Sequence, residues 1–496
     1  MGGPEKIARQ RAGGKLTVRE RIDQLLDPGS FHEIGAIAGQ ARYDESGRLV
    51  GFIPANFVMG RGRIEGRPVV VGGDDFTVRG GAMDAAIGSK QIYAEQMANE
   101  LRLPIVRLID GTGGGGSVKT LKTDGHSYVP YNQGWDWVID NLAKVPVIGL
   151  GLGSVAGLGA SRLVTSHYSV MVRGISQMFI AGPPLVARTG ESVTKEELGG
   201  TDICAKAGAV DEVVETEADA FAHARTFLSY LPANVFELSA RGIVTDDPKR
   251  REEWLLGAIP RDRRKVYDMR AIVRALVDEG SFFELARRYG SSSITGLARL
   301  DGWPVAVLAS DPYHYGGGWT AASSIKVTRF IDLANTFHLP VINLTDVPGF
   351  LIGKQAEIEG TIRHGARALA ALYQAQVPWC TVLVRRAYGV AGAAHSNHTR
   401  LQVRYAWPSG DWGSLPVEGG IEAAYRAELA AAPDPAKLRA EIETDLNQYR
   451  SPFRTAEAFL VEEIIDPRDT RRLLCEFVNL AAPLRKPGIV TNSFRP

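Results

Sequence analysis

The chain has 496 residues, 45% of them apolar and 23% charged, with a formal net charge of +1. That balance provides no field to gather nucleic acid or an acidic membrane surface, and the length allows two to four globular domains. Three cysteines, Cys204, Cys380 and Cys475, lie far apart with no CxxC pair, which argues against a zinc ribbon or a disulfide framework and predicts buried thiols in a reducing cytoplasm.

In chain order, apolar runs at 68–72, 105–109 and 145–150 read as strands, and small and apolar residues at three- and four-residue spacing predict helices over 85–101 and 131–142. The run 145–160 is short and glycine-rich, so a buried strand and turn are predicted there and not a membrane span. The first residues carry neither a signal peptide nor a myristoylation pattern, so the expected location is the cytoplasm. A charge-rich, proline-containing stretch at 245–253 marks a domain boundary. Beyond it, strands at 305–309, 341–345 and 381–384 alternate with helices at 324–336 and 361–374. A polar insert at 433–449, with Leu438, Ile442 and Leu446 four residues apart, predicts a surface helix. Strand, turn and helix in alternation give an α/β fold with a mostly parallel sheet.

The two halves are copies. Arg63-Ile64-Glu65-Gly66-Arg67-Pro68-Val69 returns as Arg299-Leu300-Asp301-Gly302-Trp303-Pro304-Val305. At the same offset Gly80-Gly81 falls on Gly316-Gly317, Lys90 on Lys326, Leu103-Pro104 on Leu339-Pro340, and Asp110 on Asp346. The expectation is two tandem domains, 1–245 and 246–496, and a site present twice suggests a reaction with two parties.

Glycine-rich turns fall at corresponding places, Ala156-Gly157-Leu158-Gly159-Ala160 and Tyr388-Gly389-Val390-Ala391-Gly392. Glycine lets the backbone turn sharply, and the start of a helix leaves N–H groups unpaired, which together suit an oxygen that becomes negative. A tight packing turn is the plainer alternative for either copy alone. No GxxxxGK[ST] loop and no dinucleotide fingerprint occurs. His395 and His398 have HxxH spacing, but without a third ligand they read as packing or rim residues, and no metal is expected. Ser161 has no paired base that the sequence identifies, and Lys326, Arg329, Arg363, Arg385 and Arg386 are candidates to meet phosphates.

Several segments together have a familiar form: Gly14-Lys15-Leu16-Thr17-Val18-Arg19-Glu20-Arg21-Ile22, Asp27-Pro28-Gly29-Ser30-Phe31, Asp75-Phe76-Thr77-Val78-Arg79-Gly80-Gly81, Val193-Thr194-Lys195-Glu196-Glu197-Leu198-Gly199-Gly200, Asp346-Val347-Pro348-Gly349-Phe350, Ile362-Arg363-His364-Gly365-Ala366 and Tyr405-Ala406-Trp407-Pro408. In that order they resemble the carboxyltransferase β subunits of biotin-dependent acyl-CoA carboxylases, such as the propionyl-CoA and methylcrotonyl-CoA enzymes. The resemblance implies two crotonase-like domains, a homohexamer in which one protomer's first domain faces another's second, and transfer of a carboxylate from carboxybiotin to the carbon α to an acyl-CoA thioester. It implies that Gly157 and Leu158 hold the thioester oxygen, and that Gly389, Val390 and Ala391 hold the biotin ureido oxygen. Gly159, Ala393, Lys326 and Arg385 are the expected substrate-binding residues. No biotin-attachment or ATP-grasp motif occurs, so a biotin carboxylase and biotin carboxyl carrier α subunit is the implied partner. Departures from the family pattern are the loop Asp110-Gly111-Thr112-Gly113-Gly114-Gly115-Gly116-Ser117, Leu158 and Val390 where relatives often carry glycine, and the small Ala393. The rival readings are a biotin-dependent decarboxylase or transcarboxylase subunit, and a non-catalytic acyl-CoA-binding paralogue.

Overall fold

What repeats in the sequence is, first of all, a β-hairpin. Strands Phe57–Ile64 and Arg67–Asp74 pair antiparallel around Glu65-Gly66, and Ser293–Leu300 and Trp303–Ser310 pair around Asp301-Gly302. Glu65 and Asp301 both have φ 50°, and Gly66 and Gly302 both have φ 78°. Two consecutive left-handed residues make the turn that matches strand twist, and an acidic residue followed by glycine is the pair that tolerates it. The repeated motif is therefore the chemistry of a two-residue turn.

The computed structural model of the chain describes residues 1–82, 87–111, 121–122, 125–127 and 129–496. It divides into two units, Met1–Leu238 with Pro487–Pro496, and Ser239–Lys486. In the first unit the strands are β1 (His32–Ile34), β2 (Gly39–Tyr43), β3 (Leu49–Pro54), β4 (Phe57–Ile64), β5 (Arg67–Asp74), β6 (Ile105–Ile109), β7 (Val147–Gly151), β8 (Ser154–Ala156), β9 (Tyr168–Val172), β10 (Gln177–Phe179) and β11 (Glu212–Val214). Seven form one sheet in the order β1-β4-β5-β6-β7-β9-β11, antiparallel up to β5 and parallel from there on. Strands β8 and β10 make a separate parallel pair, and β2 and β3 an antiparallel one.

The second unit has β12 (Phe283–Leu285), β13 (Ser293–Leu300), β14 (Trp303–Ser310), β15 (Val341–Val347), β16 (Trp379–Tyr388), β17 (Val403–Ala406), β18 (Asp411–Gly413) and β19 (Glu463–Ile464). They pair in the order β12-β13-β14-β15-β16-β17-β19, with β18 beside β16, again antiparallel first and then parallel. Every residue of β6, β7 and β15 is buried, as central parallel strands covered on both faces require. The duplicated α/β architecture is as the sequence predicts.

Helix bounds show where local chemistry overrode periodicity. Helix Thr361–Gln374 falls where expected, whereas the helix expected at 131–142 is Trp135–Asn141, because Gly134 stands before it at φ 70°. The helix expected at 85–101 is Gly88–Leu101, and its first expected residues, with Thr112 to Ser117 of the unusual loop, lie outside the described residues. In the polar insert, helix Pro435–Asn447 is capped by the Asp434 side chain and half-buries Leu438, Ile442 and Leu446. Among the described residues four helices begin with reciprocal caps, Thr17 with Glu20, Thr194 with Glu197, Thr216 with Asp219 and Thr320 with Ser323.

The two units divide at Leu238/Ser239, where the sequence places the division at 245/246. Stretch 245–253 is no free linker: Asp246 pairs with Arg250 and with the buried Arg471, inside the second unit. The terminal segment Pro487–Pro496 belongs to the first unit, where Gly488 donates to the Val235 carbonyl at 2.7 Å and the Phe494 ring lies tilted against His167 with centroids 4.6 Å apart. All three cysteines are free and buried, and among the described residues no helix is long and apolar enough to cross a membrane.

Candidate active site: two glycine turns held by buried aspartates

The first turn follows β7 and the short β8. Gly157 has φ 57° and ψ −121° and immediately precedes helix Leu158–Val164. Its own N–H meets the Phe179 carbonyl at 3.3 Å, and its positive φ gives the turn its shape. Helix geometry leaves the N–H groups of Leu158 and Gly159 without intrahelical acceptors. Gly159 also allows close approach: a Cβ there would sit 3.1 Å from the Gly111 carbonyl oxygen.

A buried network holds this turn. Arg21 is fully buried and donates from Nη1 to Asp110 at 2.8 Å, from Nε to Glu217 at 2.7 Å, and from Nη2 to the carbonyl of Leu152 at 2.8 Å, where the glycine-rich segment begins. Lys15 Nζ completes the Asp110 carboxylate at 2.8 Å. Gly153 is required beside them, since a Cβ would fall 1.9 Å from Asp110 Oδ1. The Asp74 carboxylate accepts the Asp110 N–H at 3.1 Å and lies 3.9 Å from Arg162 Nη1. Burial pushes Asp74 up to about 6, against the opposing pull of Arg162.

The second turn follows β16. Gly389 has φ 60° and opens the five-residue helix Gly389–Ala393, whose first-turn N–H groups include those of Val390 and Ala391. Val390 and Ala393 face outward, Val390 with 53% exposure, while Ala391 is buried. Gly392 permits the helix to lie on its own strand, because a Cβ would come within 2.4 Å of the Ala387 carbonyl carbon. Here the buried carboxylate is Asp346. Its Oδ1 accepts from the Arg386 backbone N–H at 3.0 Å and from Arg386 Nε at 2.7 Å, and its Oδ2 from Arg385 Nη2 at 2.9 Å and Tyr267 OH at 2.9 Å. Burial favours a neutral Asp346, but the guanidinium groups of Arg386 and Arg385 outweigh it and hold the carboxyl below the usual range.

The offset that relates the two sequences thus relates the two networks. Asp110 and Asp346 end equivalent strands, and Asp74 and Ser310, also equivalent, accept the respective aspartate N–H groups. Gly81 and Gly317 are equally constrained, each able to hold only a hydrogen within 2.5 Å and 2.3 Å of the Asp110 and Asp346 carbonyl oxygens.

Other sequence candidates separate from the turns. Lys326 is buried and donates to the Ser293 carbonyl at 2.7 Å, and Arg385, 3% exposed, also donates to the Lys265 carbonyl at 2.8 Å. Both side chains are engaged by the protein, so their visible role is structural. Arg386 joins the Asp346 network, and Arg363 is exposed on its helix. His398 is exposed and His395 buried, and among the described residues no group of His, Cys, Asp and Glu is placed to hold a metal ion.

His395 carries its ring proton on Nδ1, which faces the Gly392 carbonyl at 2.7 Å. Burial lowers its pKa to about 4; the Gly392 carbonyl opposes that shift, and Arg404 and His398 add to it. A folded-state value below the ordinary 6.5 means the unfolded chain binds the proton first. The stability from a neutral His395 is therefore full above pH 6.5 and is lost as pH falls toward 4, amounting to roughly 3 kcal/mol. His395→Asn is expected to flatten the acid side of the stability profile in that window, measured by urea unfolding at successive pH values; an unchanged slope would contradict the assignment.

A carboxyl transferase domain model matches residues 9–489. The chain belongs to the carboxyl transferase family. It is 34% identical over 490 residues to the propionyl-CoA carboxylase carboxyltransferase subunit of Haloferax mediterranei, covering 98% of this chain and 94% of that protein. Identity is also 34% over 490 residues to the methylmalonyl-CoA carboxyltransferase 12S subunit of Propionibacterium freudenreichii, covering 98% and 92%. Among solved structures, the transcarboxylase 12S hexamer with hydrolysed methylmalonyl-CoA superimposes with a TM-score of 0.86 at 32% identity, covering all of this chain and 94% of that one. The fold agrees with the crotonase-like expectation.

Proposed function

We infer that this chain is the carboxyltransferase subunit of a biotin-dependent acyl-CoA carboxylase, with the acyl-CoA thioester oxygen at the first turn and the biotin ureido oxygen at the second. The observation that carries this division is the duplication itself: two open-amide turns stand at equivalent ends of two copies of one sheet.

The residues present fit both oxygens. At the first turn, Leu158 and Gly159 offer N–H groups to an oxygen that gains charge as the α-carbon loses its proton. At the second, Val390 and Ala391 offer N–H groups beside an outward-facing surface formed by Val390 and Ala393. Carboxybiotin, when bound, supplies the carboxyl group and a basic site for the α-proton, so the chain needs no side-chain base of its own. What the protein adds is fixed dipoles, made rigid by Asp110 with Arg21 and by Asp346 with Arg385 and Arg386. The small Ala393 suits an unhindered acyl chain. A biotin carboxylase and carrier chain is the partner, a homohexamer the assembly, and the cytoplasm the setting for its unpaired thiols.

Reconstitution tests this reading. Mixed with a biotinylated carrier and biotin carboxylase, ATP and bicarbonate, the protein is expected to carboxylate at least one of acetyl-, propionyl-, butyryl- and methylcrotonyl-CoA. Stable complex formation with no carboxylation of any of them would instead favour the non-catalytic paralogue.

A further inference from the structure

Both turn helices are braced from the neighbouring strand, but not in the same way. Arg107 of β6 reaches the far end of the first helix, donating from Nη1 to the carbonyls of Arg162 at 3.1 Å and Thr165 at 2.5 Å. The equivalent residue of β15 is Asn343, and it donates to the carbonyl of His395 at 3.0 Å. Trp379 Nε1 at 2.8 Å and Thr381 Oγ1 at 2.7 Å, both of β16, donate to that same carbonyl. Three donors on one oxygen fix the main chain just beyond Gly389–Ala393.

That helix has only five residues, too few to hold its own shape. The His395 ring spans the remaining gap: Nδ1–H donates back to the Gly392 carbonyl at 2.7 Å, and Nε2 accepts from Arg404 Nη1 of β17 at 3.3 Å. The ring is 7% exposed and meets His398 edge to face, with centroids 5.0 Å apart. It also closes a polar pocket under Ala391 and Ala394 that includes the unpartnered Thr345 hydroxyl. A ring so fixed at its main chain and at both nitrogens transmits the position of β15, β16 and β17 to the helix.

We propose that His395 is a positioning residue for the second turn, its ring holding the Gly392 carbonyl and so aiming the N–H groups of Val390 and Ala391. This rests on the reading that the second turn receives the biotin oxygen. His395 itself does not touch the reacting atoms. The clamp belongs to one turn, so its loss should fall on one substrate.

The test uses the reconstituted complex with His395→Leu, which keeps bulk, and His395→Asn, whose amide can still donate to the Gly392 carbonyl. His395→Leu is expected to lower kcat/KM for the carboxylated carrier about tenfold, the order of one lost hydrogen bond, with KM for acyl-CoA unchanged. His395→Asn is expected to recover most of that loss. Hydrogen exchange of the segment 388–396 should quicken in the Leu variant and not in the Asn variant, a readout independent of turnover. Should the Leu variant fail to fold, His395→Gln, whose amide sits one bond farther out, takes its place with the same expectation. Equal effects on both substrates, a Leu variant that behaves as wild type, or Asn no better than Leu would overturn the proposal. Failure of the wild-type protein to carboxylate any acyl-CoA would count against the function instead, and the exchange result would still decide the clamp.

Discussion

Leu158→Pro should cut turnover about 10²–10³-fold, the cost of removing one oxyanion donor, while the protein stays folded. Leu158 is the first residue of its helix, the position at which proline is best tolerated because its N–H has no intrahelical acceptor. Gly157 before it, at φ 57° and ψ −121°, lies outside the helical region that proline forbids to its predecessor. The substitution therefore removes a donor while sparing the helix's own hydrogen bonds, at the loss of the half-buried Leu158 side chain. Gly157→Pro is a harsher change, because proline cannot adopt a positive φ and would also break the bond to the Phe179 carbonyl. Steady-state kinetics with circular dichroism as the folding control check the effect. Retained turnover in a folded Leu158→Pro protein would remove the first turn from the mechanism.

Asp346→Ala should destabilise the protein by about 3–5 kcal/mol, the cost of stripping a buried partner from a charge. The carboxylate is fully buried and serves Arg385, Arg386 and Tyr267 together, so alanine strands two guanidinium groups of which Arg385 is itself 3% exposed. It also frees the Arg386 N–H on β16, two residues before Tyr388, so the second turn should loosen. Urea unfolding monitored by tryptophan fluorescence measures the shift. A loss below about 1 kcal/mol would place Asp346 among the dispensable ion pairs.

The parts of the fold that rest on local chemistry were legible in the sequence. The Glu65-Gly66 and Asp301-Gly302 pairs stand out as a repeat, though the hairpins they turn are seen only in the structure, and the two glycine-rich segments lie where the turns are. The Asp110 and Asp346 correspondence was visible as a repeat, but its purpose was not. Arg21 sits 89 residues from Asp110 and 196 from Glu217 in sequence, and periodicity carries no information about such pairings. For the same reason Lys326 and Arg385 read as candidates to meet phosphate when their charged groups are turned inward to protein acceptors. Nothing in the glycine spacing shows that the Gly157 N–H meets the Phe179 carbonyl, because that contact is made across 22 residues of sequence. From its spacing His395 reads as a packing or rim residue; its three-donor carbonyl depends on Asn343, Trp379 and Thr381, which only the folded sheet brings together.

The proposed division of labour between the two turns separates when the biotin side reacts alone. Release of CO₂ from the carboxylated carrier, with the protein present and acyl-CoA absent, depends on the biotin side alone. Val390→Pro, which deletes a donor of the second turn, is expected to slow that release about 10²-fold or more, while Leu158→Pro leaves it unchanged. Equal slowing by both, or slowing by Leu158→Pro alone, would contradict the assignment of the two oxygens to the two turns.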